Sequence, residues 1–189
     1  INGNVATISL HHNRLEYGKR YYVEIDGGLL SVAGEPFEVS GKKGWTFSTK
    51  KSPPPDKDLY VVAHDGSGDF TTVQGALDFL PEQNDTRKTV FIKNGRYEEM
   101  VSFRKRNVTV LGESRDKTLI CYANNGRLNP RGRIVFAAQA NGVHLINFTT
   151  QSLGEAPAQA EGLLFKGDEL IVYNVSDIEP FLIPNFLIW

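Results

Sequence analysis

Short apolar runs recur in pairs from residue 59 onward, and turn residues separate them. Each run is three to six residues long, which suits a strand, and the gap within a pair is too short for a helix. A two-strand unit that recurs about every 25 residues is typical of a solenoid whose coils stack strand on like strand. The pattern therefore predicts a parallel β-helix. The pairs are Val108–Leu111 with Leu119–Cys121, Ile134–Phe136 with Val143–Phe148, and Leu163–Phe165 with Leu170–Val175.

A helix is predicted just ahead of these coils. The strand-like run Leu59–Ala63 is followed by a glycine turn, and Thr71 or Thr72 can cap the helix that begins there. Pro81 ends the helical pattern. A solenoid needs a cover over the core and strand edges of its first coil, and we expect this helix to supply it. Its apolar face comprises Val73, Ala76, Leu77 and Leu80.

Two binding functions compete with this structural role for the turn at residues 65–70. The turn nearly matches the dinucleotide fingerprint, but Thr71 stands where the third glycine belongs. Asp65, Ser67 and Asp69 begin like a calcium loop, yet Phe70 replaces its glycine and Ala76 its bidentate glutamate. A tight turn into a capping helix is therefore the favoured interpretation.

The first 57 residues have a different pattern. Alternating apolar positions and several glycines predict strands, among them Tyr21–Ile25 and Trp45–Ser48, so residues 1–49 form a small all-β unit. Residues 50–57 include Pro53, Pro54 and Pro55, which favour a stiff polyproline linker. A second domain is predicted over residues 58–180.

The strand pattern of residues 15–49 resembles the closing half of bacterial Ig-like modules, which occur in secreted multi-domain proteins. The resemblance implies a partial Ig-like β-sandwich over residues 1–49 whose opening strands are missing, because a complete sandwich takes about 100 residues. The chain starts at Ile1 without a methionine or a signal-peptide pattern, which suggests a piece of a longer protein.

Composition argues against nucleic-acid binding, a membrane-spanning segment and a disulfide-stabilised fold. The chain has 21 Lys and Arg against 22 Asp and Glu, so nucleic acid is not an expected partner. No apolar run reaches membrane-spanning length. Cys121 is the single cysteine, which excludes an internal disulfide framework and favours a buried small side chain.

Few side chains suggest a catalytic or metal site. The four histidines lack metal-ligand spacing, and Ser67 and Ser114 lack the nucleophile-elbow frame. No metal or other cofactor is therefore expected. Four Asn-x-Ser/Thr sequons lie mostly in or beside predicted strands, where ladders of asparagine in stacked coils are expected. They begin at Asn84, Asn107, Asn147 and Asn174.

A longer series of segments resembles the first half of a pectin methylesterase. The resemblance implies a right-handed parallel β-helix, secretion to the extracellular space, and metal-free hydrolysis of methyl esters on the polysaccharide polygalacturonate, or pectin. The matching segments are 66–77, 90–99, 107–114, 147–151 and 159–168.

The resemblance also implies a catalytic set of two aspartates and two glutamines. Gln159 matches the first glutamine, an amide donor to the oxyanion. The second glutamine and the first aspartate would fall on Phe181 and Leu182, which can neither donate nor attack. The second aspartate would lie beyond Trp189, so we expect a chain without nucleophile or acid–base aspartate. Asp177 is a weaker alternative nucleophile, since no glutamine stands beside it.

Residues 181–189 are an atypical apolar tail that resembles neither the family nor a coil, as expected of a truncated or frameshifted reading frame. Two further functions stay open. A non-catalytic polysaccharide-binding or adhesive β-helix fits the missing aspartates, whereas a polysaccharide lyase on the same fold would be expected to show calcium-binding acid clusters.

Overall fold

The computed structural model describes residues 15–124, 126–128, 132–154 and 160–178. The chain divides into two compact units, residues 1–55 and 56–189. The boundary falls within the predicted linker at residues 50–57. The partial Ig-like domain stays a prediction.

Unit 1 contains four short strands in its described part: β1 (Arg20–Val23), β2 (Ile25–Val32), β3 (Glu35–Val39) and β4 (Trp45–Ser48). β1 pairs antiparallel with β4, and β2 pairs antiparallel with β3. Tyr21 and Phe47 lie opposite each other and stack with their ring centroids 5.6 Å apart. The described part is thus all β, as predicted.

Unit 2 is a solenoid of parallel strands in three sheets. The first sheet stacks β5 (Leu59–Val62), β6 (Lys88–Ile92), β9 (Val108–Gly112), β12 (His144–Ile146) and β15 (Ile171–Tyr173). The second stacks β7 (Gly95–Glu98), β10 (Thr118–Tyr122), β13 (Thr149–Ser152) and β16 (Ser176–Ile178). The third stacks β8 (Val101–Phe103), β11 (Ile134–Gln139) and β14 (Glu161–Lys166).

The predicted repeat has about the right period, but it has one strand too few and equates strands of different sheets: Val108–Leu111 pairs with β12 and not with the strand at Ile134–Phe136. Each complete coil has three strands rather than two. The strand missed in the third complete coil, β13, reads Thr-Thr-Gln-Ser and so contains no apolar run to detect. Its backbone pairs in register with β10 and β16, which fixes it as a strand despite its polarity.

Rows of like side chains fill the interior of the solenoid. Tyr60, Val90, Val110 and Leu145 lie opposite one another in the first sheet and are at most 1% exposed. Burying such a side chain contributes about 1.5–3 kcal/mol, so the stacked rows are the main stabilising feature of unit 2.

Helix α1 (Val73–Phe79) covers the first coil, as predicted. Its four predicted apolar residues are at most 2% exposed, and the Thr72 hydroxyl accepts a hydrogen bond from the Gly75 N–H. The Gln74 amide oxygen accepts from the Ser102 N–H (2.7 Å), and its NH₂ donates to the Ser102 carbonyl (3.0 Å). The side chain thus occupies hydrogen-bonding groups of β8 that an added strand would use.

Coil corners use asparagines with left-handed backbone conformation. Asn107, Asn147 and Asn174 have φ of 54°, 57° and 53°. The Asn174 amide donates to the Asn147 side-chain oxygen at 2.8 Å, which is the expected ladder contact between stacked coils. Asn107 instead donates to the backbone carbonyl of Asn84 at 2.7 Å.

Candidate active site

The site predicted from sequence centres on Gln159. Gln159 lies outside the described residues, as do Phe181, Leu182 and the whole tail at 181–189. The described chain resumes at Ala160 and enters β14 at Glu161. The described residues nearest in sequence to Gln159 on its C-terminal side are therefore those at the start of β14.

An ion pair holds the start of this strand against the preceding coil. The Glu161 Oε1 lies 2.7 Å from Arg133 Nε and 2.5 Å from Arg133 Nη2, and the Glu161 N–H donates to the Arg133 carbonyl at 3.2 Å. Both side chains are partly buried, so the contact is better shielded than a surface ion pair. Arg133 and Glu161 thus fix the backbone two residues after Gln159.

Asp177, the alternative nucleophile, lies inside the last described coil. It is opposite Thr150 in the second sheet, and the Thr150 hydroxyl donates to its Oδ1 at 2.7 Å. The backbone N–H of Leu163 also donates to its carboxyl group. A side chain at position 162 would collide with this carboxyl group, so Gly162 is needed for the close approach.

Burial raises the pKa of the Asp177 carboxyl, and the hydrogen bonds from Thr150 and Leu163 oppose that rise only in part. A carboxylate attacks an ester carbonyl only in its ionised form. The environment of Asp177 thus favours a role as an interior hydrogen-bonding group that joins β16, β13 and β14.

The glycine turn at residues 65–70 uses its acidic side chains to build the turn. Asp65 accepts a hydrogen bond from the Ser67 N–H at 2.9 Å. Asp69 accepts from the Val61 N–H and from Lys57 Nζ, each at 2.8 Å. These contacts agree with the structural interpretation of the turn.

The described histidines and the cysteine lie in different parts of unit 2: His64 follows β5, His144 lies in β12 and Cys121 in β10. The His64 ring is 6.2 Å from that of Tyr97, and His144 lies half-buried in β12, where burial and Arg87 lower its pKa. His11 and His12 lie outside the described residues. Cys121 is buried, as predicted, and burial raises the pKa of its thiol. Within the described ranges, no three His, Cys, Asp or Glu side chains are grouped as metal ligands.

Sequence reasoning missed two side-chain contacts between neighbouring coils. Thr150 and Asp177 are 27 residues apart, and Arg133 and Glu161 are 28 apart. Both separations match one coil of the solenoid. The repeat length is the signal that could have paired them.

Comparison with known proteins identifies a family match over unit 2. The family model described as Pectinesterase matches residues 59–180. Among curated proteins, pectinesterase 5 of Arabidopsis thaliana is 32% identical over 123 residues, which cover 61% of this chain and 20% of that protein. The Brassica campestris pectinesterase/pectinesterase inhibitor is 30% identical over 166 residues, or 82% of this chain and 28% of that protein.

Solved structures agree with the fold. The carrot pectin methylesterase has 34% identity and a TM-score of 0.57, with 60% of this chain and 37% of that chain covered. A pectin methylesterase solved with a hexasaccharide has 21% identity and a TM-score of 0.56, with 64% of this chain and 45% of that chain covered. The predicted right-handed parallel β-helix is confirmed. This chain spans between 15% and 32% of the length of these curated relatives.

Proposed function

Because this chain belongs to the pectinesterase family, we propose that it is part of an enzyme that hydrolyses the methyl esters of pectin. The observation that carries this proposal is the family match over residues 59–180, which coincides with the solenoid unit. The reaction would release methanol and leave a carboxylate on the polygalacturonate chain.

Within this enzyme we assign Gln159 the role of oxyanion donor. A fixed amide N–H that faces the developing negative charge is worth about 2.7–4 kcal/mol in comparable sites. The Arg133–Glu161 ion pair would hold the backbone next to Gln159. We assign no residue of this chain as nucleophile or acid–base group, and no metal or other cofactor.

We further propose that pectin is the polysaccharide partner and that the protein acts outside the cell. No helix in the described residues is long and apolar enough to cross a membrane. The resemblance of residues 15–49 to Ig-like modules supports secretion and a bacterial source, whereas the relatives named above come from plants. Sequencing the source locus tests that part of the proposal.

A second candidate function is pectin binding without turnover. Phe181 and Leu182 at the positions of the second glutamine and first aspartate favour it for this chain alone. Binding and hydrolysis are separable by experiment, because a module that only binds pectin migrates more slowly in a pectin-containing gel but releases no methanol.

Methanol release from highly methylated pectin tests the proposal on the 189-residue chain. We expect the chain to migrate more slowly in a gel that contains pectin than in one without it, and to release no methanol above the buffer blank. The opposite result would be methanol release that Gln159→Ala abolishes and Gln83→Ala, at an exposed position, leaves unchanged. That result would show that the chain contains a nucleophile, contrary to this prediction. Neither retardation nor release would contradict both candidate functions for this chain.

A further inference from the structure

Two corners of the solenoid carry an asparagine followed by glycine, a pair that is especially prone to spontaneous deamidation. Asn94–Gly95 lies where β6 gives way to β7, and Asn141–Gly142 lies between β11 and β12. Asn141 is exposed to solvent. The fold requires the glycine that follows it, because Gly142 has a φ of 67° and an added Cβ would lie 2.6 Å from Asn107 Oδ1. The labile pair is therefore built into this corner.

Deamidation at such a corner begins when the backbone nitrogen of the glycine loses its proton and attacks the side-chain carbonyl carbon of the asparagine. The C–N bond of the carboxamide breaks, ammonia leaves, and a five-membered succinimide ring forms. Water then opens the ring and gives aspartate or isoaspartate. The attack needs a glycine N–H that is free to lose its proton and a carboxamide that is free to turn toward it. Hydrogen bonds that hold these two groups therefore block the reaction.

Asp168, 27 residues after Asn141 and one coil further along, holds both groups. The Asp168 carbonyl accepts a hydrogen bond from the Gly142 N–H at 2.8 Å. The Asp168 N–H donates to Asn141 Oδ1 at 3.1 Å, and Asp168 Oδ2 accepts from Asn141 Nδ2 at 3.3 Å. The preceding coil fixes the same backbone, because the Asn141 carbonyl accepts from the Asn107 N–H at 3.1 Å. The corner is thus held from both sides.

The corner at Asn94 is held in a similar way by different residues. The Gly95 N–H donates to the Lys117 carbonyl at 2.8 Å. Asn94 Oδ1 accepts from the Ser114 hydroxyl at 2.8 Å and from the Thr118 hydroxyl at 3.2 Å. These partners also belong to the following coil. The two corners share one arrangement but no residue, so each serves as a control for the other.

We propose that Asn141 is a latent deamidation site, that the following coil blocks it through Asp168, and that its conversion opens this corner irreversibly. The reaction then proceeds only when the coil that carries Asp168 separates locally from the one beneath it. The product carboxylate at position 141 faces the Asp168 carboxylate across the 3.3 Å contact that an amide N–H now makes. Two carboxylates at this distance repel each other, so the corner does not close again.

Peptide mapping by mass spectrometry tests the block on the 189-residue chain, incubated at mildly alkaline pH with and without guanidinium chloride. We expect deamidation of Asn141 to be at least about tenfold slower in the folded chain than in the unfolded one. The reaction should be slowed by the same factor as hydrogen exchange of the Gly142 N–H, because both need the same local opening. Equal deamidation rates in the folded and unfolded chains would overturn the proposal.

Two variants separate this block from the general rigidity of the fold. Asp168→Ala releases Asn141 Nδ2 and should speed deamidation of Asn141 severalfold while Asn94 stays unchanged. Ser114→Ala releases one hydrogen bond on Asn94 Oδ1 and should have the reverse effect. Equal acceleration of both sites by each variant, or of neither site by either variant, would contradict the assigned contacts. The wild-type comparison with hydrogen exchange needs no variant, and it decides the question if one of them fails to fold.

The irreversible step has its own test, because Asn141→Asp reproduces the product. We expect this variant to unfold at a lower urea concentration than wild type at neutral pH. Adding Asp168→Asn places an amide opposite the new carboxylate and should recover most of the loss. An Asn141→Asp chain as stable as wild type, or a loss of stability that Asp168→Asn does not relieve, would refute the opening of the corner.

Discussion

Asp177 is a carboxyl group that the fold buries beside two hydrogen-bond donors. Because burial raises its pKa, the folded chain keeps the proton to a higher pH than the unfolded chain. Its contribution to stability is therefore present at low pH and is lost as the pH rises above the ordinary carboxyl value of 3.8. An aspartate with these properties is costly to ionise.

Replacing Asp177 by asparagine should remove this pH dependence. An amide keeps an acceptor for Thr150 and Leu163 and never ionises, so Asp177→Asn should gain stability relative to wild type between acid and neutral pH. Urea unfolding of both proteins across that range measures the difference. An equal difference at every pH would contradict the assigned cause, and Asp116→Asn on the exposed surface provides the control.

Gly162 and Asp177 should show strong energetic coupling. The methyl group of Gly162→Ala would collide with the Asp177 carboxyl, and overpacking of this kind costs about 1–3 kcal/mol. In an Asp177→Ala background the carboxyl is gone, so the same methyl group should cost much less. A double-mutant cycle by urea unfolding gives the coupling, and additive costs would refute the contact.

At the scale of elements, Glu99 joins the capping helix to the first coil. Its carboxylate oxygens accept hydrogen bonds from the N–H groups of Val73 and Gln74 at 2.8 and 2.9 Å. Hydrogen bonds to a charged group are worth about 1.5–3 kcal/mol each, so Glu99→Ala should destabilise unit 2 by at least that amount. Glu98→Ala, which removes only an exposed 3.6 Å ion pair with Arg96, should cost less than about 1 kcal/mol. Equal losses of stability would contradict the capping role.

The asparagine ladder makes a separate prediction for Asn147. Asn147→Gly keeps the left-handed backbone but loses the contact with Asn174, which should cost about 0.5–1.5 kcal/mol. Asn147→Val adds the strain of a β-branched residue at positive φ, roughly 1–2 kcal/mol more. Thermal denaturation should rank the three proteins in that order. A valine variant as stable as the glycine variant would refute the backbone argument.

Apolar periodicity located the elements whose residues form the core. Val73 and Leu77 revealed the helix, and Val110 and Leu145 revealed stacked strands, because burial alone fixes such patterns. The polar strand β13 and the Thr150–Asp177 contact left no local signal, since both depend on register between coils. Gln159 was found only through family resemblance, and its geometry lies outside the described residues.

At the scale of the whole molecule, the chain combines an all-β unit with coils of a pectinesterase. Stacked coils depend on their neighbours, so the coils described here should continue into those of a relative without a change of register. The carrot pectin methylesterase, of which this chain covers 37%, is a suitable donor of the following coils.

The most direct test of this account is methanol release by a chimera that joins residues 56–174 to the later coils of the carrot enzyme. We predict release from highly methylated pectin, and a loss of about 10²–10³ in kcat on Gln159→Ala, as for other oxyanion donors. The Gln83→Ala chimera should keep full activity. A folded chimera that releases no methanol would contradict the assignment of these coils to the catalytic domain. A chimera whose kcat is unaffected by Gln159→Ala would contradict the role of Gln159 as oxyanion donor.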